Sequence, residues 1–284
     1  MNIKCIKCGH GYSLSMPRIQ KKGLEFYQTN YVCRKCLLTK IKDGLNNIAL
    51  GIEIEAGFNA DEEEFNKLRK ICKKHNWEIK NDGSITARNS GNTAKELVSG
   101  VIEVNYSNEN PLRDVNKQLD DLIVMITEVN KSMGFHLHIS FKDFYCYNLL
   151  YSKQFITFFR KKLKAKYKDN EILQNRFKNN YCSGRYNKTD FDGIDRIRTR
   201  YKMINFLAYS RHKTIEFRVF DVNKDLMKDY IKTTLELVDE FLLKKLKELE
   251  KAGGVATEEI NLDNIDTTTN ITEEILEEKK VIVI

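Results

Sequence analysis

Apolar and polar residues alternate along several short stretches of the chain, and this period of two predicts β-strands. The longest stretch covers residues 48–56, and two others cover residues 135–140 and 213–220. Shorter stretches at residues 76–84 and 95–104 predict brief strands separated by turns. Each strand should have one apolar and one polar face, because successive side chains point to opposite sides of a sheet.

A second pattern, with apolar residues three and four positions apart, predicts amphipathic helices. It occurs at residues 61–75, 111–133, 152–168, 170–179 and 224–250. The second of these helices should begin at Pro111, which suits the first helical position, and end before Gly134. Its buried stripe is predicted to be Leu112, Val115, Leu119, Leu122, Ile126 and Val129.

The order of these elements favours a mixed α+β fold with an antiparallel sheet and flanking helices. Strands and helices alternate, but most links between strands resemble hairpins. We expect three parts: a cysteine-bearing module at residues 1–45, a main domain at residues 46–252 and a tail at residues 253–284. The tail is polar and acidic, so we expect it to be disordered.

Composition and charge narrow the class of protein. No stretch of the 284 residues approaches the ~18 apolar residues of a membrane span, so we expect a cytoplasmic protein without membrane contacts. The net charge is +8, but residues 251–284 hold eight acidic and three basic residues, which leaves +13 on the rest. A basic body suits phosphate-bearing partners such as nucleotides or nucleic acid, and a solvated lysine-rich surface is the alternative.

The seven cysteines are unevenly placed, and four of them form two C-x-x-C pairs near the N-terminus. Two such pairs can complete a closed, tetrahedral, structural zinc site, whereas free thiols or a redox pair are the alternatives. Lysines of this module could contact nucleic acid or an acidic partner, or the module could only stabilise the protein. The predicted zinc ligands are Cys5, Cys8, Cys33 and Cys36.

The polar faces of four predicted strands carry an unusual set of side chains. For any one strand, a simple solvated face is the ordinary explanation. Together, however, they supply carboxylates and imidazoles, which are ligands for Mg²⁺ or Mn²⁺, and one arginine that suits a phosphate. The residues on these faces are Glu53, Glu55, Glu96, His136, His138, Glu216 and Arg218.

Six motifs, in their order along the chain, resemble those of the amidoligase family. This family belongs to the carboxylate–amine ligase superfamily of glutamine synthetase and glutamate–cysteine ligase. The resemblance covers roughly residues 48–245 and leaves out the cysteine module and the tail. The motifs are GIEIE (51–55), NDGS (81–84), KELVSG (95–100), GFHLHIS (134–140), RYKMIN (200–205) and TIEFRVF (214–220).

The resemblance implies a fold and a reaction. The fold is a glutamine synthetase-like, curved antiparallel sheet whose concave face holds ATP with two or three Mg²⁺ or Mn²⁺ ions. In the reaction, a substrate carboxylate attacks the γ-phosphate of ATP to form an acyl phosphate, and an amine then displaces phosphate to give an amide or isopeptide bond. Amino acids, peptides and protein side chains are candidate substrates.

The resemblance also implies roles for individual residues. Glu53, His136 and Glu216 would bind one ion near the transferring phosphate, and Glu55 and Glu96 another. Asp82 would be a third ligand of the second ion, although Asp-Gly-Ser is also a common turn sequence. His138 would support the site. The catalytic residues would be Arg218, Arg200 and Glu216, and the residues at the nucleotide would be Ser84, Arg198, Asn205 and Arg218.

Two other functions remain open from the sequence. One keeps the fold but transfers a phosphoryl group to a guanidino compound or another acceptor. The other is not enzymatic: the zinc module and the basic body would make a protein that binds nucleic acid or serves as a scaffold. The joint presence of so many metal-ligand residue types favours the ligase.

Overall fold

The computed structural model of the chain describes residues 2–4, 8–9, 11–13, 34–106, 108–142, 144–186 and 200–251. Three predictions fall outside these residues: the acidic tail, the nucleotide contact of Arg198, and the zinc ligands Cys5 and Cys33. Within them, Cys8 is exposed and Cys36 is half-buried. No helix in the described part of the chain combines the length and apolar character that crossing a bilayer requires.

The strands form two antiparallel sheets. β1 and β2 pair only with each other, and the other eight strands make one sheet in the main order β4-β5-β3-β8-β10-β9. The strands are β1 (Asn2–Lys4), β2 (Gly11–Ser13), β3 (Asn47–Asn59), β4 (Trp77–Lys80), β5 (Asn92–Ser99), β6 (Ile102–Asn105), β7 (Ile126–Glu128), β8 (Phe135–Phe141), β9 (Ile204–Asn205) and β10 (Ile215–Phe220).

The long strand β3 organises the large sheet. Along one edge it pairs with β6 and then with β5, and along the other with β8 and then with β7. Its period-two pattern explains this central place: Ile48, Leu50, Ile52 and Ile54 are all buried on the same face. The strand predicted from the sequence is therefore confirmed, and it continues three residues beyond the predicted end.

Helices flank this sheet. In the described part of the chain they are α1 (Arg34–Asn46), α2 (Glu62–His75), α3 (Arg113–Ile123), α4 (Phe144–Leu150), α5 (Lys153–Lys166), α6 (Glu171–Arg176), α7 (Ala208–His212) and α8 (Met227–Lys251). The start of α2 follows from its sequence, because the Asp61 side chain accepts hydrogen bonds from the backbone N–H groups of Glu63 and Glu64.

Aromatic side chains join the apolar face of the sheet to the helices. The ring of Phe217 on β10 lies 5.0 Å from that of Phe159 on α5, and Phe155 lies 5.1 Å from Phe241 on α8, measured between ring centroids. Such contacts bury large apolar areas, so this face of the sheet cannot turn towards solvent. The opposite, polar face is then the one left for a site.

The α+β class and the antiparallel sheet are confirmed, but the reasoning from hairpins was wrong. Within the large sheet only β4–β5 and β9–β10 are pairs of strands that follow one another in the chain. The remaining pairs join strands that are separated by other elements. Most antiparallel pairs in this sheet join strands that are far apart in the sequence. The order of neighbouring strands along the chain does not reveal such pairs.

The helix predicted at residues 111–133 is also wrong in part. α3 ends at Ile123, and residues 126–128 form β7, which pairs with Gly57 and Phe58 of β3. Ile126 is buried, although as part of a strand, while Val129 is 42% exposed. Residues 126–128 form a strand despite their helical pattern, because their backbone groups pair with the edge of β3. Such tertiary pairing overrides local helix propensity.

The helix α1 packs with the sheet. Ile41 and Leu45 of α1 belong to the same apolar core as β3 and β8. α1 spans the domain boundary that the sequence predicts after residue 45, and it packs against the main domain through these residues, which precede that position. The boundary itself stays a prediction.

Asp239 on α8 supplies a test of the packing. One carboxylate oxygen, Oδ1, is buried without a hydrogen-bond partner among the described residues, and burial, followed by the charge of Glu236, raises the pKa of Asp239 to about 6. The folded protein therefore holds this proton more tightly than the unfolded chain. Stability should fall as the pH rises from about 4 through about 6, because the charged carboxylate is poorly accommodated.

Asp239→Asn should remove this penalty. At pH 8 we expect the variant to be more stable than the wild type by about 1–3 kcal/mol, and the gain should shrink at pH 4. Urea unfolding at both pH values measures the difference, with the exposed Asp43→Asn as control. An equal gain at the two pH values would show that the carboxylate charge is not the cause.

Candidate metal and phosphate site

The register of the large sheet brings the polar side chains together. Residues directly opposite one another on neighbouring strands have side chains on the same face and a few ångströms apart. The predicted site residues occupy such opposed positions on five neighbouring strands. The opposed pairs are Glu55 with Glu96, Glu53 with His136, Glu216 with His138, and Glu216 with Asn205.

Arg218 lies at an irregularity of β10. Phe217 pairs with Leu137 and Phe220 with Phe135, so two residues of β10, Arg218 and Val219, face a single residue of β8. Bulges of this kind re-aim side chains and are common beside functional sites. The Arg218 backbone N–H donates to the carbonyl of Met203 at 2.9 Å, and its guanidinium contacts the carboxylate of Glu216.

One group of candidate metal ligands consists of Glu53, His138 and Glu216. Each offers one ligand atom, and these atoms lie within 4.8 Å of one another. Nδ1 of His138 is 3.0 Å from the hydroxyl of Thr214, and its Nε2 is 3.2 Å from Oε1 of Glu53. This Nε2 is buried but has no well-directed hydrogen-bond partner among the described residues, as expected of a nitrogen aimed at a metal.

The first group therefore contains His138, where the sequence analysis expected His136. His136 lies between the two groups: its Nδ1 is 3.0 Å from Glu53 and 3.7 Å from Glu216, and its Nε2 is 3.9 Å from Glu55. Glu216 lies directly opposite His138 in the sheet, while Nδ1 of His136 also lies within 3.7 Å of carboxylate oxygens of both Glu53 and Glu216, so the expected role of His136 stays a prediction. Sequence spacing could not separate two histidines that share one face.

A second group consists of Glu55, Asp82 and Glu96, whose oxygens also lie within 4.8 Å of one another. Asp82 reaches this group from the loop between β4 and β5. Its Oδ1 accepts a hydrogen bond from the backbone N–H of Ser84 at 2.7 Å, so the turn expected from Asp-Gly-Ser is present as well. The turn and the ligand interpretation are thus compatible.

The loop that carries Asp82 is anchored by Glu128. The carboxylate of Glu128 accepts hydrogen bonds from the backbone N–H groups of Arg88 at 2.7 Å and Asn89 at 3.1 Å. These bonds lower the pKa of Glu128 to about 2. The part of the loop at Arg88 and Asn89 is therefore held against β7.

The two groups differ in their electrostatics. Burial raises the pKa of Glu53, but close contacts with the imidazoles of His136 and His138 lower it more, so the net pKa lies far below its usual range. Burial also lowers the pKa of His138, but Glu53 and Glu216 raise it more, so the net pKa is above its usual value. Within the first group, the positive charge of the imidazole therefore offsets much of the negative charge of the carboxylates.

The second group consists of carboxylates alone. Burial raises the pKa of Glu96 to about 7, with further contributions from the charges of Glu53, Glu55 and Asp82. Burial also raises the pKa of Glu55. Carboxylates crowded in this way repel one another unless a cation lies between them. Carboxylate oxygens fit Mg²⁺ or Mn²⁺, and the one imidazole nitrogen of the first group is also tolerated, particularly by Mn²⁺.

Gly134 leaves space for polar side chains beside the second group. A Cβ at this position would lie 2.7 Å from Nη2 of Arg176, 3.0 Å from Nε2 of His136 and 3.1 Å from Oε2 of Glu55. Any larger residue would therefore push into the site. The glycine in GFHLHIS does more than end an element, because its missing side chain makes room for polar groups.

The side chains of both ligand groups line one cleft of about 590 Å³, which is within the size range of small-molecule sites. Of the residues predicted to bind Mg²⁺ or Mn²⁺, to act in catalysis or to contact the nucleotide, each one that the structure describes lies in its wall. They are Glu53, Glu55, Asp82, Ser84, Glu96, His136, Arg200, Asn205, Glu216 and Arg218, and His138 lies with them.

The sequence analysis missed several residues of the cleft. Arg176 on α6 donates to the backbone carbonyls of Met133 and Val219 at 2.9 Å and of Arg218 at 3.2 Å, so it braces the strand ends that carry the site. An arginine in a helical pattern gives no sign of this role. Other cleft residues to which the sequence analysis gave no role are Lys131, Asn179, Tyr181, Tyr201, Arg211 and His212.

Comparisons with known proteins were made by family model, by sequence and by structure. No family model, no curated protein and no solved structure matches this chain. The fold and the site by themselves define an α+β protein with an antiparallel sheet and a carboxylate-lined cleft that could hold divalent metal ions.

Two ligand groups predict two bound Mn²⁺ ions per chain. In isothermal titration calorimetry, Asp82→Asn should leave the affinity for one Mn²⁺ ion unchanged. The affinity for the other should fall by more than the ~10-fold that is typical when a residue hydrogen-bonded to a metal ligand is lost. Asp43→Asn, at an exposed position on α1, is the control. Two unchanged Mn²⁺ affinities in the Asp82 variant would remove this residue from the ligand set.

Gly134→Ala tests the close packing at the centre of the site. The added methyl group should displace Arg176 or the ligand side chains, so Mn²⁺ binding should fall at least about tenfold by the same titration. Gly91→Ala is the matched control, because a Cβ there meets only Asn89 at an ordinary 3.5 Å. Equal Mn²⁺ affinities in the two variants would contradict the crowding at Gly134.

Proposed function

We propose that this protein is an ATP-dependent carboxylate–amine ligase, which forms an amide or isopeptide bond through an acyl phosphate. The observation that carries the proposal is that two carboxylate-rich ligand groups share one cleft with the guanidinium groups of Arg200 and Arg218. Phosphoryl transfer requires such a combination of divalent cations and fixed positive charge. The six motifs that resemble the amidoligase family favour the same reaction.

The residues present fit Mg²⁺ or Mn²⁺. Glu53, His138 and Glu216 would hold one ion, with His136 beside them, and Glu55, Asp82 and Glu96 would hold another. Ions held by these residues would offset the negative charge of the ATP phosphates during transfer. The buried Nε2 of His138 and the crowding around Glu96 are the two observations that support occupancy by cations.

The proposed reaction has two steps. A carboxylate oxygen of the first substrate bonds to the γ-phosphorus of ATP while the bond from that phosphorus to ADP breaks. The amine nitrogen of the second substrate then bonds to the acyl carbon, the bond to phosphate breaks, and the amine releases a proton. Candidate substrates are amino acids, peptides and protein side chains.

The arginines would stabilise the charge on the transferring group. Arg218 is oriented for this role by its contact with Glu216 and by the bulge of β10. Asn205 donates from Nδ2 to Oε2 of Glu216 at 2.6 Å, which leaves Oε1 of Glu216 to face Arg218. Arg200 and Ser84 stand at the walls of the same cleft, where a triphosphate would extend.

The proposal extends to parts that rest on the sequence alone. These are a glutamine synthetase-like curvature of the sheet around the nucleotide and a structural zinc ion bound by Cys5, Cys8, Cys33 and Cys36. Lysines of that module would contact nucleic acid or an acidic partner. None of these parts is needed for the reaction at the cleft.

The test is to incubate the protein with ATP, Mn²⁺ and a pool of amino acids and peptides, and to search for products by mass spectrometry. We expect ADP, phosphate and a product whose mass equals two pool members minus water. Glu216→Gln should lower its rate of formation at least about 100-fold, because the variant loses both a ligand and the partner of Arg218. Glu240→Gln, exposed on α8, should leave the rate unchanged.

Two other outcomes would contradict the proposed ligase function. A pool member that gains only a phosphoryl group would indicate a phosphotransferase. Tight, strongly salt-dependent binding of nucleic acid, together with no binding of ATP, would indicate the non-enzymatic function instead.

A further inference from the structure

Two tyrosines stand at the wall of the cleft and are not used by the metal groups or by the arginine at the bulge. Tyr181 follows α6 and is 62% exposed, and Tyr201 precedes β9 and is 39% exposed. Their rings meet edge to face, with centroids 5.5 Å apart and planes at 86°. Of the described residues that line the cleft, these two alone carry a phenol ring.

The two tyrosines belong to segments that hydrogen bonds hold together. The Ser183 backbone N–H donates to the carbonyl of Tyr201 at 3.3 Å, and the N–H of Met203 donates to the carbonyl of Ser183 at 2.9 Å. Tyr186 adds a further link, since its hydroxyl donates to the carbonyl of Ile204 at 3.0 Å. The exposed rings therefore project from a braced backbone, which lowers the entropy lost when a ligand binds them.

Arg200 defines the charge beside the rings. Its guanidinium carbon lies 5.5 Å from the ring centroid of Tyr201, within the range of a cation–π contact. A cationic ligand would meet repulsion here, whereas a flat uncharged ring with a trailing anionic group would be favoured. A nucleoside triphosphate has this distribution of charge.

We propose that the exposed ring of Tyr181 is the stacking surface for the base of ATP, with Tyr201 supporting that ring edge to face and Arg200 at the start of the triphosphate. This inference rests on the proposed function, which requires ATP in the cleft. The triphosphate would point from Arg200 towards Arg218 and the ligand groups. Stacking on aromatic rings tolerates any base, because every base has a π-face. The cleft should therefore select a triphosphate with a base attached rather than adenine in particular.

The test compares ATP with inorganic tripolyphosphate, which has the phosphates but no base. Each is titrated, with Mn²⁺ present, into wild type, Tyr181→Ala and Tyr181→Phe. Tyr181→Ala should weaken ATP at least about fivefold, the lower limit for loss of one stacked base, and leave tripolyphosphate unchanged. Tyr181→Phe keeps the ring and should bind ATP as the wild type does, and GTP should bind the wild type comparably.

Two control variants separate stacking from other effects. Ile172→Ala removes an apolar side chain that is also 62% exposed but lies on α6 outside the cleft wall, so neither ligand should be affected. Arg200→Ala should weaken ATP and tripolyphosphate alike, because it removes charge rather than a ring.

The outcomes separate this inference from the ligase proposal. If Tyr181→Ala binds ATP as well as the wild type, or loses both ligands equally, the stacking surface is refuted and the ligase stands. If the Tyr181 pattern holds but no amide product is ever formed, the stacking surface stands and the ligase fails. Wild-type protein that binds neither ATP nor tripolyphosphate would overturn both.

Discussion

Glu53 of β3 lies opposite His136 of β8, and the apolar residues on the reverse side of both strands hold this register. A slip of one residue would turn the buried face of either strand to solvent and its charged face into the core. The register therefore cannot move without large loss of buried apolar area. The ligand groups, the bulge at Arg218 and the cleft all depend on it, since each is built from side chains that project from neighbouring strands.

The site also works against the stability of the fold. Carboxylates are half-buried side by side, and the raised pKa of Glu96 records how poorly they tolerate one another without a cation. The protein contains this repulsion with rigid surroundings. Arg176 ties α6 to the ends of the site strands, and Glu128 fixes the loop of Asp82. A cation bound between these carboxylates would offset their repulsion.

Local patterns predicted the fold where an element's own side chains decide its structure. The alternation in β3, β8 and β10 was sufficient, because one buried face specifies a strand wherever it packs. The helix prediction failed at residues 126–128, because these residues form β7 and pair with Phe58 of β3. The links between strands were misjudged for a related reason: β3 pairs with strands far away in the chain, and sequence proximity holds no information on such pairs.

By itself the sequence determined which residue types share a face: Glu53 with Glu55, His136 with His138, and Glu216 with Arg218. Strand periodicity forces this sharing in any fold that keeps these strands. Only the tertiary structure decided which of these residues meet. It set His138 opposite Glu216, brought Asp82 to Glu55 and Glu96 from a loop, and added Arg176 and the two tyrosines to the cleft. These side-chain contacts depend on strand order and register across the sheet. Both arise from long-range packing and are not encoded in the spacing of any single motif.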